Sequence, residues 1–181
     1  MILVIRFIGI LNAAIWLGAA VFVLAAQGAF FSGEVTTLGL HPFWPGAMAQ
    51  LVVARYFNLQ YVCGAIAVAH LLAEWVYLGR PLHRASLALL IGLLFIGFAG
   101  GLWLQPKLKA LHLVKYSMSE QYKPISLPNE QRLEAANSFR LWHGVASAIN
   151  LVALAGLVVY FWRVIHPPDN LRFVGTPQFR G

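Results

Sequence analysis

Residues 87–104 read LALLIGLLFIGFAGGLWL, a stretch without one ionisable side chain. A helix needs about 20 predominantly apolar residues to cross the hydrocarbon core of a bilayer. Three further stretches, at 3–31, 56–78 and 139–165, are nearly as apolar and are longer. The sequence therefore predicts an integral membrane protein with four membrane-spanning helices.

The composition of the whole chain agrees with this prediction. Of its 181 residues, 60% are hydrophobic and 10% are charged, whereas a soluble domain carries about 25% charged residues. Four spans leave no room for a soluble domain, so we expect an all-α four-helix bundle over 1–165 and a mobile tail over 166–181. The net charge of +7 comes from basic residues near span ends, where they meet lipid headgroups. We therefore expect the lipid bilayer, and no nucleic acid, as a partner.

Helices two, three and four are predicted to extend beyond the bilayer on the side of the first loop, residues 34–44, where helix two either projects or lies partly along the membrane surface. Helix two is expected to run from Gly46 to Leu78, about 50 Å at 1.5 Å per residue, which exceeds the roughly 30 Å of hydrocarbon. Beyond Pro106, apolar residues recur with a helical period, and Asn129 is the expected N-cap of the helix that enters the fourth span. Helices three and four would thus project as a hairpin.

The orientation in the membrane is predicted from the second loop. An even number of spans places both termini on one side of the membrane. Arg80 and Arg84 lie in or beside the short loop on that side, and short loops follow the positive-inside rule best. We therefore predict that both termini are cytoplasmic.

Small residues indicate where helices approach one another. Gly97 and Gly101 have GxxxG spacing in the third span, and Gly144 lies in the fourth; such residues let helix backbones come close in lipid. The packing serves either the bundle itself or association with a second subunit. Trp16, near the middle of the first span, and the single Cys63 are expected to be buried in the bundle, the thiol being inert.

The second span contains an ionisable pair. His70 and Glu74 are four residues apart and share one helix face, and ionisable groups inside a span are functional candidates by default. The pair would act as a proton relay or as half of a metal site. Alternatively, Glu74 lies near the interface, where Arg80 or Arg84 neutralises it, and His70 is its hydrogen-bond partner.

The fourth span carries a polar stripe along one helix face. Its members are Arg140, His143, Ser147 and Asn150. Such a stripe must face protein, a cavity or water rather than lipid. It either lines a ligand pocket or forms hydrogen bonds to polar residues of other spans. Those alternative partners are Asn12, Gln27, Asn58 and Gln60.

Histidines in and near the spans suggest a metal or haem site, because imidazole suits Zn, Cu and Fe. His143, His112 and His41 lie on the same predicted side of the membrane and form the candidate set. His70 and His143 are poor partners for one haem, because they lie about 22 Å and about 8 Å along helices that start from the same side. The sequence contains no nucleophile motif, phosphate-binding loop or zinc signature, so enzymatic chemistry is not indicated.

The region 102–151 resembles the transmembrane protein 205-like proteins, which in bacteria carry a domain of unknown function numbered 4149. The resemblance rests on Trp103-Leu104-Gln105-Pro106, on a polar hairpin, and on Phe139, His143, Gly144, Ser147 and Asn150. Gln105 departs from the pattern, since relatives can carry an acid before the proline. The resemblance implies four transmembrane helices and no settled activity.

Three functions remain open from the sequence. The first is a non-enzymatic subunit or accessory protein of a membrane assembly, which contacts other subunits or itself through the GxxxG face or the hairpin. The second is a haem- or metal-handling protein that uses the intramembrane histidines. The third is a small transporter, which requires a hydrated cavity along the polar stripe.

Overall fold

A computed structural model describes residues 2–33, 37–78 and 84–166. Its elements are α1 (Ile2–Phe30), α2 (Phe43–Leu78), α3 (Arg84–Ala99), a π-helical turn (Gly100–Leu104), α4 (Gln105–Lys115) and α5 (Asn129–Ile165). Four helical segments are long and apolar enough to cross a membrane: α1, α2, the continuous rod from α3 to α4, and α5. The prediction of an all-α chain with four long apolar helices packed together is confirmed. The second loop and the tail from residue 167 lie outside the described residues.

The four long helices form a bundle in which each helix packs against two neighbours. α1 packs against α2 and α5, and α3 packs against the same two helices. α1 and α3 therefore lie on one diagonal, and α2 and α5 lie on the other. α4 continues α3 and contacts both α2 and α5 on the side of the first loop.

The densest packing extends from the middle of the bundle towards the termini. Trp16 on α1 is completely buried, and it packs with Cys63, Leu157 and Tyr160. The rings of Trp16 and Tyr160 meet edge to face with centroids 6.0 Å apart. Asn12 Nδ2 donates a hydrogen bond of 2.9 Å to the carbonyl oxygen of Cys63. The predicted burial of Trp16 and Cys63 is what the structure shows.

Two of the three glycines named for helix packing are used inside the bundle. A Cβ on Gly97 would lie 2.7 Å from the side-chain nitrogen of Gln60, and Gly101 lies directly against the Tyr61 hydroxyl. Because these two glycines lack a side chain, Gln60 and Tyr61 of α2 pack directly against the backbone of the third span. Gly144, in contrast, has no neighbour within 4 Å on that side, so no described helix packs on it, contrary to the simplest expectation for the bundle.

The third span continues through Pro106. A proline inside a helix removes one hydrogen bond, and here a π-helical turn stands immediately before it. The Gln105 N–H donates to the carbonyl oxygen of Gly100, five residues back, as a π-helix requires. The helical period seen in the sequence beyond Pro106 is thus a real helix, α4.

The helix starts differ from the prediction in two places. α2 begins at Phe43 rather than Gly46, because the first-turn N–H groups have no intrahelical partner and Pro45 is tolerated among them. His41 Nδ1 accepts the Phe43 N–H at 3.3 Å and so acts as a capping group. Asn129 was predicted as the N-cap of the last helix, which is wrong: Pro128 occupies that position, without a side-chain hydrogen bond.

A matched pair of glycines on α1 tests this packing. A Cβ on Gly9 would collide with the buried ring of His70, whereas Gly18 faces open space. We expect Gly9→Ala to destabilise the bundle by about 1–3 kcal/mol through overpacking, and Gly18→Ala to leave it unchanged or slightly more stable. Cys63, 2% exposed, reports unfolding when a thiol-reactive dye gains access on heating in detergent. Equal unfolding temperatures for the two variants would contradict the α1–α2 packing described here.

Candidate functional site

A cavity of about 140 Å³ lies in the half of the bundle next to the first loop. It occupies the space between the diagonal helices α2 and α5, and α1, α3 and α4 complete its wall. Five amide side chains line it: Gln27, Gln50, Gln60, Gln105 and Asn150. The other polar lining residues are Tyr56, His112, Lys115, Tyr116, His143 and Ser147. Such a wall is far more polar than the core around Trp16.

Three of the four residues of the predicted polar stripe line this cavity. They are His143, Ser147 and Asn150, whereas Arg140 does not contribute to the wall. The Ser147 hydroxyl donates to the His143 carbonyl oxygen at 2.9 Å, within α5. In the described chain, no hydrogen bond joins the stripe to the polar residues of the other spans. The geometry therefore favours the pocket over interhelical bonding as the role of the stripe.

The cavity opens along α5. His143, Ser147 and Asn150 all belong to its wall and still expose more than a third of their surface. α1 and α5 are held together at Trp16 and Tyr160. Gln27, the first lining residue on α1, lies about 16 Å further along that helix. The mouth is thus confined to the half of the bundle beyond the Trp16 contact.

Aromatic rings close the cavity at the first-loop end. Phe43 is completely buried, and its ring stacks on His112 with centroids 5.1 Å apart. Tyr116 and Tyr122 meet the same ring at 5.9 and 5.7 Å. These residues come from α2, α4 and the connection before α5, so Phe43 fastens three segments of the chain together.

His112 has one nitrogen engaged and one free. Its Nε2 lies 3.1 Å from the Phe43 carbonyl oxygen, and because a carbonyl only accepts, Nε2 carries the hydrogen. His112 is 4% exposed, and its Nδ1 is buried without a hydrogen-bond partner in the described residues. A buried polar atom of this kind indicates a missing partner such as a ligand or water.

The three histidines of the predicted metal set are not brought together. His41 hydrogen-bonds to the Phe43 N–H, and His112 to the Phe43 carbonyl oxygen. His143 instead stacks on Phe139, with ring centroids 5.6 Å apart. Among residues 2–33, 37–78 and 84–166, no three His, Cys, Asp or Glu side chains are placed to hold a metal ion. The cavity, at about 140 Å³, is also below the roughly 300–1,000 Å³ of a drug-sized site, so a haem does not fit inside it.

The pair of His70 and Glu74 lies away from this site. The His70 ring is buried against Gly9 of α1, and Glu74 is half-buried one turn later. Neither residue lines the cavity. A shared proton between them therefore stays a prediction that is separate from the cavity.

Lys115 is the one charged side chain, histidines aside, among the described residues that line the cavity. Its Nζ lies 4.9 Å from the centre of the Tyr116 ring and 5.3 Å from that of Phe139. The described wall contains no carboxylate, and Lys115 has no ion-pair partner in the part of the chain that the structure describes. With the histidines neutral, the formal charge that the described wall contributes is therefore positive.

No protein-family model, curated protein or solved structure matches this chain. The resemblance to the transmembrane protein 205-like proteins stays a prediction, and what the cavity binds must be inferred from its own side chains.

Several lining residues were missed from the sequence. Gln50, Val53, Phe57 and Gln60 repeat on α2 the same i, i+3, i+7, i+10 spacing that marks the stripe on α5. That second stripe, with its two amides, was the available signal. Lys115 gave no such signal, because a lysine beyond a span is ordinarily solvated.

Removal of the Phe43 ring tests the closed end of the cavity. We expect Phe43→Ala to destabilise the protein by about 3–5 kcal/mol, the usual effect of deleting a buried aromatic ring. The neighbouring Trp44 is 40% exposed, and Trp44→Ala should have less than half that effect. The measurement is the thermal aggregation temperature of each variant in detergent, followed by size-exclusion chromatography. A larger loss for Trp44→Ala would refute the central role of Phe43.

Proposed function

We propose that this protein is a multi-pass membrane protein that binds a small polar or amphiphilic molecule in the cavity between α2 and α5, and carries or presents it without converting it. The observation that supports this function is the cavity itself, whose largely apolar wall carries these polar groups. Intramembrane polar groups are costly and mark ligand or substrate paths. Three of the lining amides, Gln27, Gln60 and Asn150, belong to the predicted spans and would be a liability in lipid unless a ligand or water used them.

The helix lengths support a membrane placement in which α2, α4 and α5 project beyond the bilayer on the first-loop side. α2 has 36 residues and α5 has 37, about 54 Å each, against roughly 30 Å of hydrocarbon. Trp103 and Trp142 meet at 5.2 Å, and the Lys107 Nζ lies 3.6 Å from the centre of the Trp142 ring. Such clusters are typical of a membrane interface. The cavity would then be reached from the leaflet on that side, with both termini cytoplasmic.

The wall favours binding over catalysis. The Ser147 hydroxyl is bonded to a backbone carbonyl of its own helix rather than to an imidazole, so it is not arranged as an activated nucleophile. The described wall also lacks a carboxylate that would orient a histidine as a general base.

Filling the cavity tests the function. Ala146 lines the cavity, whereas Ala148, two residues along the same helix, is exposed and does not. We expect Ala146→Trp to abolish the retention of a co-purifying small molecule, because an indole ring occupies most of a space of this size. Ala148→Trp should retain it. Native mass spectrometry and solvent extraction of the purified protein measure the bound molecule.

Two outcomes would contradict the proposal. One is a wild-type protein that carries no small molecule after purification in a mild detergent and binds none from a membrane extract. The other is equal retention by the two tryptophan variants.

The membrane orientation has its own test. Glu120 is exposed in the hairpin between α4 and α5, and Cys63 is buried. We expect Glu120→Cys to react with a membrane-impermeant maleimide in intact cells, because the hairpin would lie outside. Reaction only after permeabilisation would reverse the assigned orientation, and the wild-type protein is the control for Cys63.

An accessory subunit is a second candidate function, favoured by the surface beside the mouth. Gly144 faces open space next to the exposed His143, and a helix of a partner subunit could approach there closely. Cross-linking through Gly144→Cys in native membranes separates the two functions. A specific protein adduct supports a subunit, and its absence together with a bound small molecule supports the carrier.

A further inference from the structure

We infer that the cavity takes a phosphate ester that bears a free hydroxyl, of the glycerol phosphate type, with Lys115 binding the phosphate and His112 accepting a hydrogen bond from the hydroxyl. The inference rests on the proposed function and names the chemical class of its ligand. It is carried by the charge of the wall and by the free nitrogen of His112.

The first step concerns the anion. Lys115 lines the cavity, its Nζ lies near the Tyr116 and Phe139 rings, and it has no carboxylate partner in the described chain. Amide groups of Gln50, Gln105 and Asn150 supply further hydrogen-bond donors. A phosphate satisfies such donors, and charge-assisted hydrogen bonds are about twice as strong as neutral ones. A cation, in contrast, would meet an uncompensated ammonium group.

The second step concerns the hydroxyl. Since the Nε2–H of His112 is engaged by Phe43, the neutral ring presents Nδ1 as an acceptor. This atom is buried and has no hydrogen-bond partner in the described residues, and His112 as a whole is only 4% exposed. Nδ1 accepts a hydrogen bond from a donor, which an alcohol supplies and an ionised phosphate oxygen does not.

The third step concerns spacing. His112 and Lys115 are three residues apart on α4, so they are neighbours on one helix face with Cβ atoms about 5–6 Å apart. The two side chains can therefore contact two groups of one small molecule, such as a phosphate and a hydroxyl joined by a short carbon chain. The same group occurs in the headgroup of phosphatidylglycerol and in free glycerol 3-phosphate.

The test uses the full chain, purified and delipidated in a non-ionic detergent, and native mass spectrometry of bound lipid. We expect phosphatidylglycerol to bind at least about tenfold more tightly than phosphatidylcholine. Phosphatidic acid, which has the phosphate without the headgroup hydroxyls, should lie between them. Lys115→Gln should reduce phosphatidylglycerol binding about tenfold, and Lys115→Arg should largely retain it. The matched control is Lys109→Gln on the exposed part of the same helix, which should have no effect.

The outcomes are distinct. Equal binding of phosphatidylglycerol and phosphatidylcholine, or an equal loss in Lys109→Gln, would overturn the inference. Displacement of phosphatidylglycerol by glycerol 3-phosphate at similar concentrations supports the soluble ester as the ligand, and resistance to displacement supports the lipid. If a neutral molecule co-purifies, is lost in Ala146→Trp and is not displaced by phosphatidylglycerol, this inference fails while the proposed function stands. If no molecule binds in any form, both fail.

Discussion

In the proposed membrane placement the bundle is surrounded by hydrocarbon, which offers no hydrogen-bond partners, and this constraint would govern which side chains can face outward. α1 meets it with an almost wholly apolar surface, and its Asn12 is turned inward to the Cys63 carbonyl. α5 meets it differently, because His143 and its polar neighbours border a cavity rather than a packed helix. The bundle therefore has a half around Trp16 that is packed mainly with apolar side chains and a half next to the first loop whose cavity carries many polar ones.

The division has a steric cause. Trp16 fills the centre of the bundle, and the small residues around it, Ala13, Cys63 and Ala67, leave room for its ring. Beyond this level the cavity separates the diagonal helices α2 and α5. Gln60 and Asn150 line this cavity, and the aromatic cluster at Phe43 closes its far end. The cavity is the volume left between these two closures.

Much of this fold could be predicted from the sequence, because it follows from local patterns. The apolar stretches, the helix beyond Pro106, the burial of Trp16 and the shared face of His143, Ser147 and Asn150 all depend on spacing along one helix. What could not be predicted depends on pairs of distant elements. Gly97 and Gly144 look alike in the sequence, yet one receives Gln60 and the other faces open space.

The histidines illustrate the same limit. From the sequence, a histidine near a span is a candidate metal ligand because its hydrogen bonds are unknown. In the structure, His41 and His112 both form hydrogen bonds with the Phe43 backbone. Whether α2 and α5 touch is likewise a property of the whole bundle, so the cavity between them has no signature in either helix alone. The repeated spacing of Gln50 and Gln60 is a weak trace of it.

The π-helical turn at Gly100–Leu104 sets the phase of everything that follows it. Such a turn holds one residue more than an α-helical turn, so the helix after it is rotated by about 100° relative to an uninterrupted one. The sequence neighbours Leu104 and Gln105 both line the cavity, which marks the place where the extra residue is absorbed. From there Leu108, His112 and Lys115 follow at helical intervals along the wall. One additional residue thus decides that Leu108, His112 and Lys115 face the cavity; without it, these side chains would lie on a different face of the rod.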